Sequence, residues 1–249
     1  HTGSEVTKIN PLEKTVLVNG EEVSYDKLVI ACGATPIVPN LPGTDLPGVF
    51  TVRDPGDAVS TRKYVEDNNC RNALIVGGGF IGLEVAENLR AQGLSVTVID
   101  MAPQIMPNVF DPDMAGYIKR KLSEGGTRIL TGCALEEIGG DNRAMFVKTS
   151  AGVINCDIVI LSIGIRPATS FLDGSGIETE RGLIITDEYQ NTNIPDISAV
   201  GDCAIVKNRI TDQHQWSAMG STANIAGRAL ALNLSGIKTA YEGVLGTGI

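Results

Sequence analysis

The 249-residue chain is 43% hydrophobic and 20% charged, a balance typical of a globular protein with one large or two ordinary domains. Its 20 basic and 29 acidic side chains give a net charge of −9. This charge disfavours nucleic acid and anionic membranes as partners, because both attract clustered positive charge. The sequence has no apolar run long enough to span a bilayer, and its first residues do not resemble a signal peptide.

The cysteines and histidines exclude several kinds of site. The only histidines are His1 and His214, which argues against a histidine metal site or a Ser-His-Asp triad, and we expect no metal. The five cysteines are widely spaced, odd in number and without a C-x-x-C pair, so we expect reduced thiols in a cytoplasmic protein. They are Cys32, Cys70, Cys133, Cys156 and Cys203.

The chain opens with short strands and continues into a predicted linker. Asn19-Gly20 is a two-residue hairpin signal between two of the strands. The proline-rich stretch 36–47 predicts a linker between domains, and residues 57–67 predict a helix. Strands are predicted at residues 6–9, 15–18, 21–24 and 27–32, the last ending at Gly33.

Residues 73–82, ALIVGGGFIG, predict a dinucleotide cradle, with a purely structural glycine turn as the alternative. The apolar run 73–76 suits a parallel strand that is buried on both faces. Gly77 can make the tight turn, Gly79 lets the backbone approach a diphosphate, and Gly82 lets the next helix pack on the strand. That helix has its apolar residues Ile81, Val85 and Leu89 four residues apart, and its N-terminal amides would face the diphosphate.

The next strand, residues 95–99, ends at Asp100, which lies 18 residues after Gly82. An acidic side chain at this place accepts hydrogen bonds from the adenosine ribose and repels a 2′-phosphate. Residues 101–107 contain no Lys or Arg that could receive such a phosphate. The sequence therefore favours NADH over NADPH.

Further elements follow in chain order. Asp111-Pro112 predicts the start of a helix whose inward face carries Met114, Tyr117, Ile118, Lys121 and Leu122. No periodicity is evident over 169–193, and the apolar helix 220–234 is predicted to be buried all round. Strands are predicted around residue 129 and at residues 144–148, 153–156, 157–162 and 196–200, with Gly164 and Gly201-Asp202 after the last two.

Four segments resemble motifs of the pyridine nucleotide–disulfide oxidoreductases, a family of two-dinucleotide flavoproteins. The resemblance implies an α/β fold in which an NAD-binding Rossmann-like domain is inserted into an FAD-binding domain. The closest match is the branch that contains coenzyme A-disulfide reductases, NADH oxidases and NADH peroxidases. The segments are residues 25–34 (YDKLVIACGA), 162–167 (SIGIRP), 194–202 (IPDISAVGD) and 220–228 (GSTANIAGR).

The resemblance implies two groups of binding residues. Asp202 would bond a ribityl hydroxyl of the flavin, the alternative being a turn cap, and the N-terminus of the helix at 220 would point at the flavin's pyrimidine edge. The FAD group is Ala31, Cys32, Gly33, Gly201, Asp202, Thr222 and Ala223. The NAD group is Gly77, Gly78, Gly79, Phe80, Ile81, Gly82, Glu84, Asp100, Met101, Ile163 and Gly164.

Three of these residues have alternative interpretations. Phe80 either covers the nicotinamide pocket or belongs to the core. Glu84 is either a solvated helix residue or, from its expected place in the first helical turn, a polar group near the nicotinamide. Cys32 stands where the family usually has Thr, and its apolar strand end favours a small buried thiol over a redox thiol.

The resemblance also implies domain bounds: part of the FAD domain at 1–50, the NAD domain at 51–168, the rest of the FAD domain at 169–240, and the start of a dimerisation domain at 241–249. The family's first FAD glycine motif and its redox cysteine would lie upstream. We therefore expect a middle fragment without catalytic residues of its own, which shows no sustained NADH consumption alone.

The predicted function of the whole protein is hydride transfer from NADH to FAD and onward to a disulfide, oxygen or peroxide. The resemblance also implies that the whole protein is a homodimer. One alternative is a reductase of a protein acceptor, of the rubredoxin, ferredoxin or nitrite reductase type. Another is a regulatory module that binds NAD without redox chemistry.

Overall fold

The structure, a computed structural model, describes residues 1–245 and divides into two compact units. Pro36–Ile165 forms one of them, here called the inserted unit. The flanking unit consists of His1–Thr35 together with the chain from Arg166 onward. The predicted α/β class with one domain inserted into another is confirmed. Residues 246–249, the end of the predicted dimerisation segment, lie outside the described part.

The elements are numbered in chain order. The helices are α1 (Pro55–Asp67), α2 (Phe80–Ala91), α3 (Pro112–Glu124) and α4 (Gly220–Leu234), with short 3-10 helices at Ser170–Leu172 and Gly201–Cys203. The strands are β1 (Val6–Asn10), β2 (Thr15–Val18), β3 (Glu21–Ser24), β4 (Leu28–Ile30), β5 (Ala34–Pro36), β6 (Val49–Thr51), β7 (Asn72–Val76), β8 (Ser95–Asp100), β9 (Arg128–Thr131), β10 (Leu135–Gly139), β11 (Phe146–Thr149), β12 (Gly152–Asn155), β13 (Ile158–Leu161), β14 (Ile165–Pro167), β15 (Thr179–Glu180), β16 (Leu183–Ile184), β17 (Ile197–Ala199), β18 (Val206–Lys207) and β19 (His214–Gln215).

The inserted unit is built on a five-stranded parallel sheet of order β6-β13-β7-β8-β9. Alternate residues of the central strands enter two different cores, as the period of two in a strand requires. Ile75 and Ile160 pack with the helices, whereas Leu74 and Leu161 pack with the antiparallel meander β10-β11-β12. The predicted buried strands at 73–76 and 157–162 are therefore confirmed. The strands predicted at 144–148 and 153–156 belong to the meander, whereas the strand predicted around residue 129 is β9 of the parallel sheet.

The proline-rich stretch after residue 35 is a packed part of the inserted unit rather than a free linker. The Pro42 carbonyl accepts a hydrogen bond from Ile138 N at 2.9 Å, and the Pro47 carbonyl accepts one from Ala144 N at 2.8 Å. β6 then pairs with β13. The units consequently divide at 35/36 and 165/166, whereas the predicted domain bounds are 50/51 and 168/169.

Two helices of this unit bury a face that only partly matches the expected one. α2 buries Gly82, Leu83, Ala86 and Leu89, while Ile81 is 46% exposed. The predicted face began at Ile81, whereas the buried face begins at Gly82. Residues spaced four apart do not stay on one face, because the helical period is 3.6 residues. In α3 the buried side is formed by Ala115, Ile118 and Leu122, whereas the predicted inward residues Met114 and Tyr117 are half exposed.

The flanking unit contains an antiparallel sheet, β1-β2-β3, and a parallel pair, β4 with β17. The hairpin predicted from Asn19-Gly20 is confirmed: Val18 pairs with Glu21, and both turn residues have positive φ, as a type I′ turn requires. Over 169–193, where no periodicity was evident, the chain forms the two-residue strands β15 and β16 and one short 3-10 helix.

The prediction that the last helix is buried all round is wrong, although its bounds match. α4 buries Thr222, Ala226, Ala229 and Leu230, but Ile225 is 58% exposed among the described residues. The buried side of the helix packs against Val200, with Tyr241 partly buried beside it. None of the described helices combines the length and hydropathy needed to cross a membrane.

Asp157 joins the beginnings of two central strands of the inserted unit. Its Oδ2 accepts hydrogen bonds from Arg71 N at 2.9 Å, Asn72 N at 2.8 Å and Asn72 Nδ2 at 3.3 Å. Burial alone would raise the pKa of Asp157, but these bonds and the charge of Arg143 lower it below its usual value. A depressed folded pKa stabilises the fold above the unfolded pKa of about 3.9, and this contribution is lost as pH falls through the folded pKa.

We therefore expect Asp157→Ala to lower the free energy of unfolding by about 1–2 kcal/mol near neutral pH, because three donors lose a charged acceptor. Urea unfolding of the variant and the wild type from about pH 7 to about pH 3 should show the difference shrinking in acid. Asp141→Ala, at an exposed position of the same unit, is the control and should be neutral. A difference that is constant over this pH range would contradict the assigned role of the carboxylate.

Candidate functional site

The turn between β7 and α2 is closed by a glycine in a left-handed conformation. Gly77 has φ +110°, and its N–H donates to the Ile99 carbonyl at 2.8 Å. A β-carbon at Gly77 would lie 2.3 Å from the carbonyl oxygen of Ser162. Both its conformation and its surroundings therefore require glycine, as expected for the tight turn.

The two other spaced glycines have opposite surroundings. A β-carbon on Gly82 would lie 2.0 Å from the Gly77 carbonyl oxygen and 2.6 Å from Ser162 Oγ, so Gly82 permits the helix to pack on the turn. A β-carbon on Gly79 would meet nothing within 4 Å. Gly79 is also the N-cap of α2 and provides no side-chain cap. The helix N-terminus is thus open to an anion, and these residues fit a dinucleotide diphosphate.

Asp100 is bound to the turn through its carboxylate. Its Oδ2 accepts a hydrogen bond from Gly78 N at 2.7 Å, and its Oδ1 accepts one from Ala102 N at 2.8 Å. Each carboxylate oxygen can accept a further hydrogen bond. The half-buried Asp100 can therefore accept a further hydrogen bond from a ribose hydroxyl. The neighbouring Met101 is 79% exposed.

The remaining residues predicted for NAD lie on the surface of the inserted unit. Phe80 is 44% exposed, which argues against its being a core residue. Glu84 is exposed and lies in the second turn of α2 rather than the first, since the helix begins at Phe80. Ile163 and Gly164 follow β13 and are also exposed, and Gly164 has φ +116°.

Two residues outside the predicted NAD group hold this turn in place. Ser162 Oγ lies 3.1 Å from the Val76 carbonyl oxygen and 3.2 Å from that of Gly77, and its hydroxyl can donate to either. Ile105 is fully buried, and a β-carbon on Gly78 would lie 2.9 Å from its Cγ2. Both residues are distant in sequence from the glycines, so a local motif gives no signal for them.

In the flanking unit, parallel pairing brings the predicted FAD segments together. β4 and β17 pair with Ile30 opposite Ala199, and Val200 N donates to the Ile30 carbonyl at 3.0 Å. Residues 31–33 and 201–202 therefore follow adjacent strand ends, where ligands of such sheets bind. A β-carbon on Gly201 would lie 3.8 Å from Cβ of Ala223, which places the start of α4 beside the same strand ends.

The side chains at the start of α4 are partly used within the protein. The Thr222 hydroxyl lies 2.9 Å from Ser217 Oγ, and Thr222 is buried. The α4 N-cap, Met219, makes no side-chain cap bond, so the backbone end of the helix fits a polar ligand edge. Trp216 Nε1 donates to the Asp202 carbonyl at 2.9 Å, which gives this tryptophan a role in holding the loop.

The expectation that Cys32 is a small buried thiol is wrong. β4 ends at Ile30, so Cys32 lies two residues beyond the strand and is exposed. It lines a cleft of about 1330 Å³ that runs along β4. Cys203, in contrast, is fully buried.

Several known proteins are similar to this chain in sequence and in structure. The NADH oxidase of Methanocaldococcus jannaschii is 36% identical over 231 residues, which are 93% of this chain and 52% of that protein. The CoA-dependent NAD(P)H sulfur oxidoreductase of Pyrococcus abyssi is 37% identical over 252 residues, covering all of this chain and 56% of that protein. The structure of an NAD-dependent persulfide reductase from A. fulgidus superimposes with a TM-score of 0.93 at 32% identity, covering 99% of this chain and 46% of that one.

The chain thus spans about half the length of the curated relatives it matches. The family model for pyridine nucleotide-disulphide oxidoreductases matches residues 1–223, which is most of the chain. That match covers both the glycine turn of the inserted unit and the strand ends of the flanking unit. The chain therefore belongs to the pyridine nucleotide-disulphide oxidoreductase family.

Proposed function

We propose that this chain carries NADH-binding and FAD-binding parts of a flavin-dependent oxidoreductase. The observation that carries the proposal is that each unit gathers its predicted binding residues at the carboxyl ends of parallel strands. When bound, NADH supplies the hydride and FAD accepts it, so the protein contributes position and electrostatics. In the whole protein the electrons would pass to a disulfide, oxygen or peroxide.

In the inserted unit, the open N-terminus of α2 at Gly79 would hold the diphosphate of NADH, since unpaired amides there attract an anion. Asp100 would hold the adenosine ribose. Phe80, Ile81, Glu84, Ile163 and Gly164 remain predicted contacts of the nicotinamide half, and their exposure on the surface of the unit supports this.

The preference for NADH rests on the charge beside the ribose. Asp100 is an anion, and residues 101–107 contain no cation for a 2′-phosphate. An NADPH oxidase engineered from the Lactobacillus brevis NADH oxidase, 30% identical to this chain, supports the inference. Its five substitutions include glycine to alanine and, 18 residues later, aspartate to alanine followed directly by alanine to arginine. That interval equals the one from Gly82 to Asp100.

In the flanking unit, we propose that Ala31, Cys32, Gly33, Gly201 and Asp202 bind FAD together with Thr222 and Ala223 at the start of α4. Gly33 and Gly201 have φ values of +70° and +81°, so the backbone turns sharply at both strand ends and leaves room for a ligand. The Asp202 side chain would accept a hydrogen bond from a flavin hydroxyl, and the α4 N-terminus would stabilise negative charge on reduced flavin.

The names of relatives favour a small-molecule or thiol–disulfide acceptor, as in the NADH oxidase and the sulfur oxidoreductase described above. A protein acceptor is the second candidate, because a rhodocoxin reductase from Rhodococcus erythropolis is 32% identical over 97% of this chain. We further propose a cytoplasmic location, supported by five free cysteines, and a homodimeric whole protein, supported by the branch that the chain resembles.

Replacing Asp100 by Ala and Met101 by Arg should reverse the cofactor preference. The variant loses the ribose acceptor and gains a cation for the 2′-phosphate, so we expect NADH affinity to fall about 10-fold to 100-fold and NADPH affinity to rise. Separate titrations of NADH and NADPH by calorimetry measure both. Asp141→Ala is the control and should leave both affinities unchanged. The preference would be refuted if the wild type bound NADPH as tightly as NADH.

Alanine at Gly79 and at Gly82 should have separable effects. Gly79→Ala meets open space and should change the free energy of unfolding by no more than about 1 kcal/mol, yet its methyl group would block the approach of the diphosphate and weaken NADH binding. Gly82→Ala overlaps the turn and should destabilise the protein by about 1–3 kcal/mol. Urea unfolding and NADH titration of both variants test this, and unchanged NADH affinity in Gly79→Ala would argue against the assigned cradle.

Asp202→Ala should weaken FAD binding about tenfold or more, because a charged acceptor of the ribityl chain is removed. The measurement is the dissociation constant of FAD in the flavin-loaded protein, followed by flavin fluorescence. Asp212→Ala, at an exposed position of the same unit, is the matched control. Equal FAD affinity in the two variants would remove Asp202 from the proposed flavin site.

A further inference from the structure

A cavity of about 310 Å³ lies between α2 and α3 in the inserted unit. α2 begins after the carboxyl end of β7 and ends before β8, so its last turn, with Arg90, lies at the amino edge of the parallel sheet. Thr127, which also lines the cavity, directly precedes β9 at the same edge. Gly79 and Asp100 lie at the opposite, carboxyl edge. The cavity is therefore separate from the proposed nucleotide site.

α3 contributes an aromatic and apolar wall to this cavity. Ile118 and Leu122 line it and are partly buried against the helix-side core. Tyr117 lines it too, and its side chain is 49% exposed, so a ligand can reach the ring. Ligand sites in proteins have volumes of about 300–1000 Å³, which makes this cavity large enough for a small molecule only. The wall therefore suits a compact, flat apolar group such as a single aromatic ring.

Two hydrogen-bond donors that line the cavity are unpaired. Thr127 is only 3% exposed, and its amide donates to the Leu122 carbonyl at 3.1 Å, but its hydroxyl has no hydrogen-bond partner among the described residues. The Arg90 guanidinium also lacks a hydrogen-bond or ion-pair partner within residues 1–245. Its Cζ lies 3.8 Å from the position that a β-carbon on Gly125 would take at the end of α3. A buried hydroxyl without a partner costs free energy, and an acceptor supplied by a ligand would remove that cost.

The charges around the cavity favour an anionic acceptor. Lys121 Nζ lies 2.7 Å from Glu124 Oε2, but both side chains are more than half exposed, so this pair neutralises the local charge only weakly. Lys121 Nζ and Arg120 Cζ also lie 5.9 Å and 5.7 Å from the centroid of the Tyr117 ring. Basic residues outnumber acidic ones among the lining residues and their neighbours in the chain: Arg90, Lys119, Arg120, Lys121 and Arg128 against Glu87 and Glu124. This local excess of positive charge contrasts with the net charge of −9 of the whole chain.

We propose that the cavity between α2 and α3 is a binding site for small aromatic carboxylates. The ring would lie against Tyr117, Ile118 and Leu122, and the polar atoms would accept hydrogen bonds from Arg90 and Thr127. A guanidinium matches a carboxylate well, because it can donate two parallel N–H bonds to the two oxygens. The site is distinct from the proposed nucleotide and flavin sites, and its occupation requires neither cofactor.

The test is a titration of the isotopically labelled chain with benzoate, followed by the NMR chemical shifts of its amides. We expect saturable shifts at the lining residues Tyr117, Gly125 and Thr127. Benzamide has the same shape as benzoate but no charge, so we expect it to bind about fivefold more weakly or worse.

Two variants remove the proposed donors one at a time. Arg90→Gln and Thr127→Val should each lower the affinity for benzoate about fivefold, because each removes one hydrogen bond to the ligand. Arg128→Gln is the matched control: it removes a positive charge at the same edge of the sheet but no lining group, and it should change the affinity less than about twofold.

The proposal would be overturned if benzoate gave no saturable shifts at the lining residues of the wild type, or if Arg90→Gln bound benzoate as tightly as Arg128→Gln. The first result needs no variant, and Arg90 is exposed, so misfolding does not obscure the answer.

A second titration, in the presence of NADH, separates this cavity from the open N-terminus of α2 at Gly79, which also attracts anions. The affinity for benzoate should stay the same with and without NADH. Competition between the two would place benzoate at the nucleotide site and overturn the proposal. A failure of NADH itself to bind would count against the proposed function, whereas benzoate shifts at the lining residues would still support the carboxylate site.

Discussion

The close approach of α2 to the turn after β7 is the contact on which the nucleotide site depends. At Gly82 the helix comes so near the Gly77 carbonyl that no β-carbon fits between them. This approach fixes the position of the helix N-terminus, and therefore the direction in which its amides and its dipole point. Gly77, Ser162 and Asp100 then hold the turn from three sides, through a left-handed backbone, a hydroxyl and a carboxylate.

Both units bring their predicted binding residues together at the ends of parallel strands, but the inserted unit does so with a larger sheet. In the inserted unit a five-stranded parallel sheet supports the turn, with helices on one face and a meander on the other. In the flanking unit only β4 and β17 pair in parallel, yet this pair suffices to bring residues 31–33 and 201–202 together. Parallel pairing has this effect because the carboxyl ends of neighbouring strands meet at one edge.

Features set by a few neighbouring residues could be predicted from the sequence. Asn19-Gly20 specifies its hairpin because both turn residues tolerate positive φ, and Gly77 specifies the turn before α2 for a similar reason. Features set by distant residues could not. Ser162 and Ile105 reach the turn from other strands and loops, and the exposure of Cys32 depends on where β4 stops. The packing of residues 36–50 depends on the amide donors of Ile138 and Ala144, which the prolines do not reveal.

The two amide hydrogen bonds of Asp100 have a consequence for how cofactor choice can change. They fix the carboxylate before any nucleotide arrives, so the side chain is preorganised and little rotamer entropy remains to be lost when a ribose binds. The same bonds make Asp100 part of the scaffold of the turn. A replacement that alters selectivity at this position also leaves the amides of Gly78 and Ala102 without their acceptor. Selectivity and local rigidity are therefore coupled traits here, and a lineage that changes its cofactor must compensate for both.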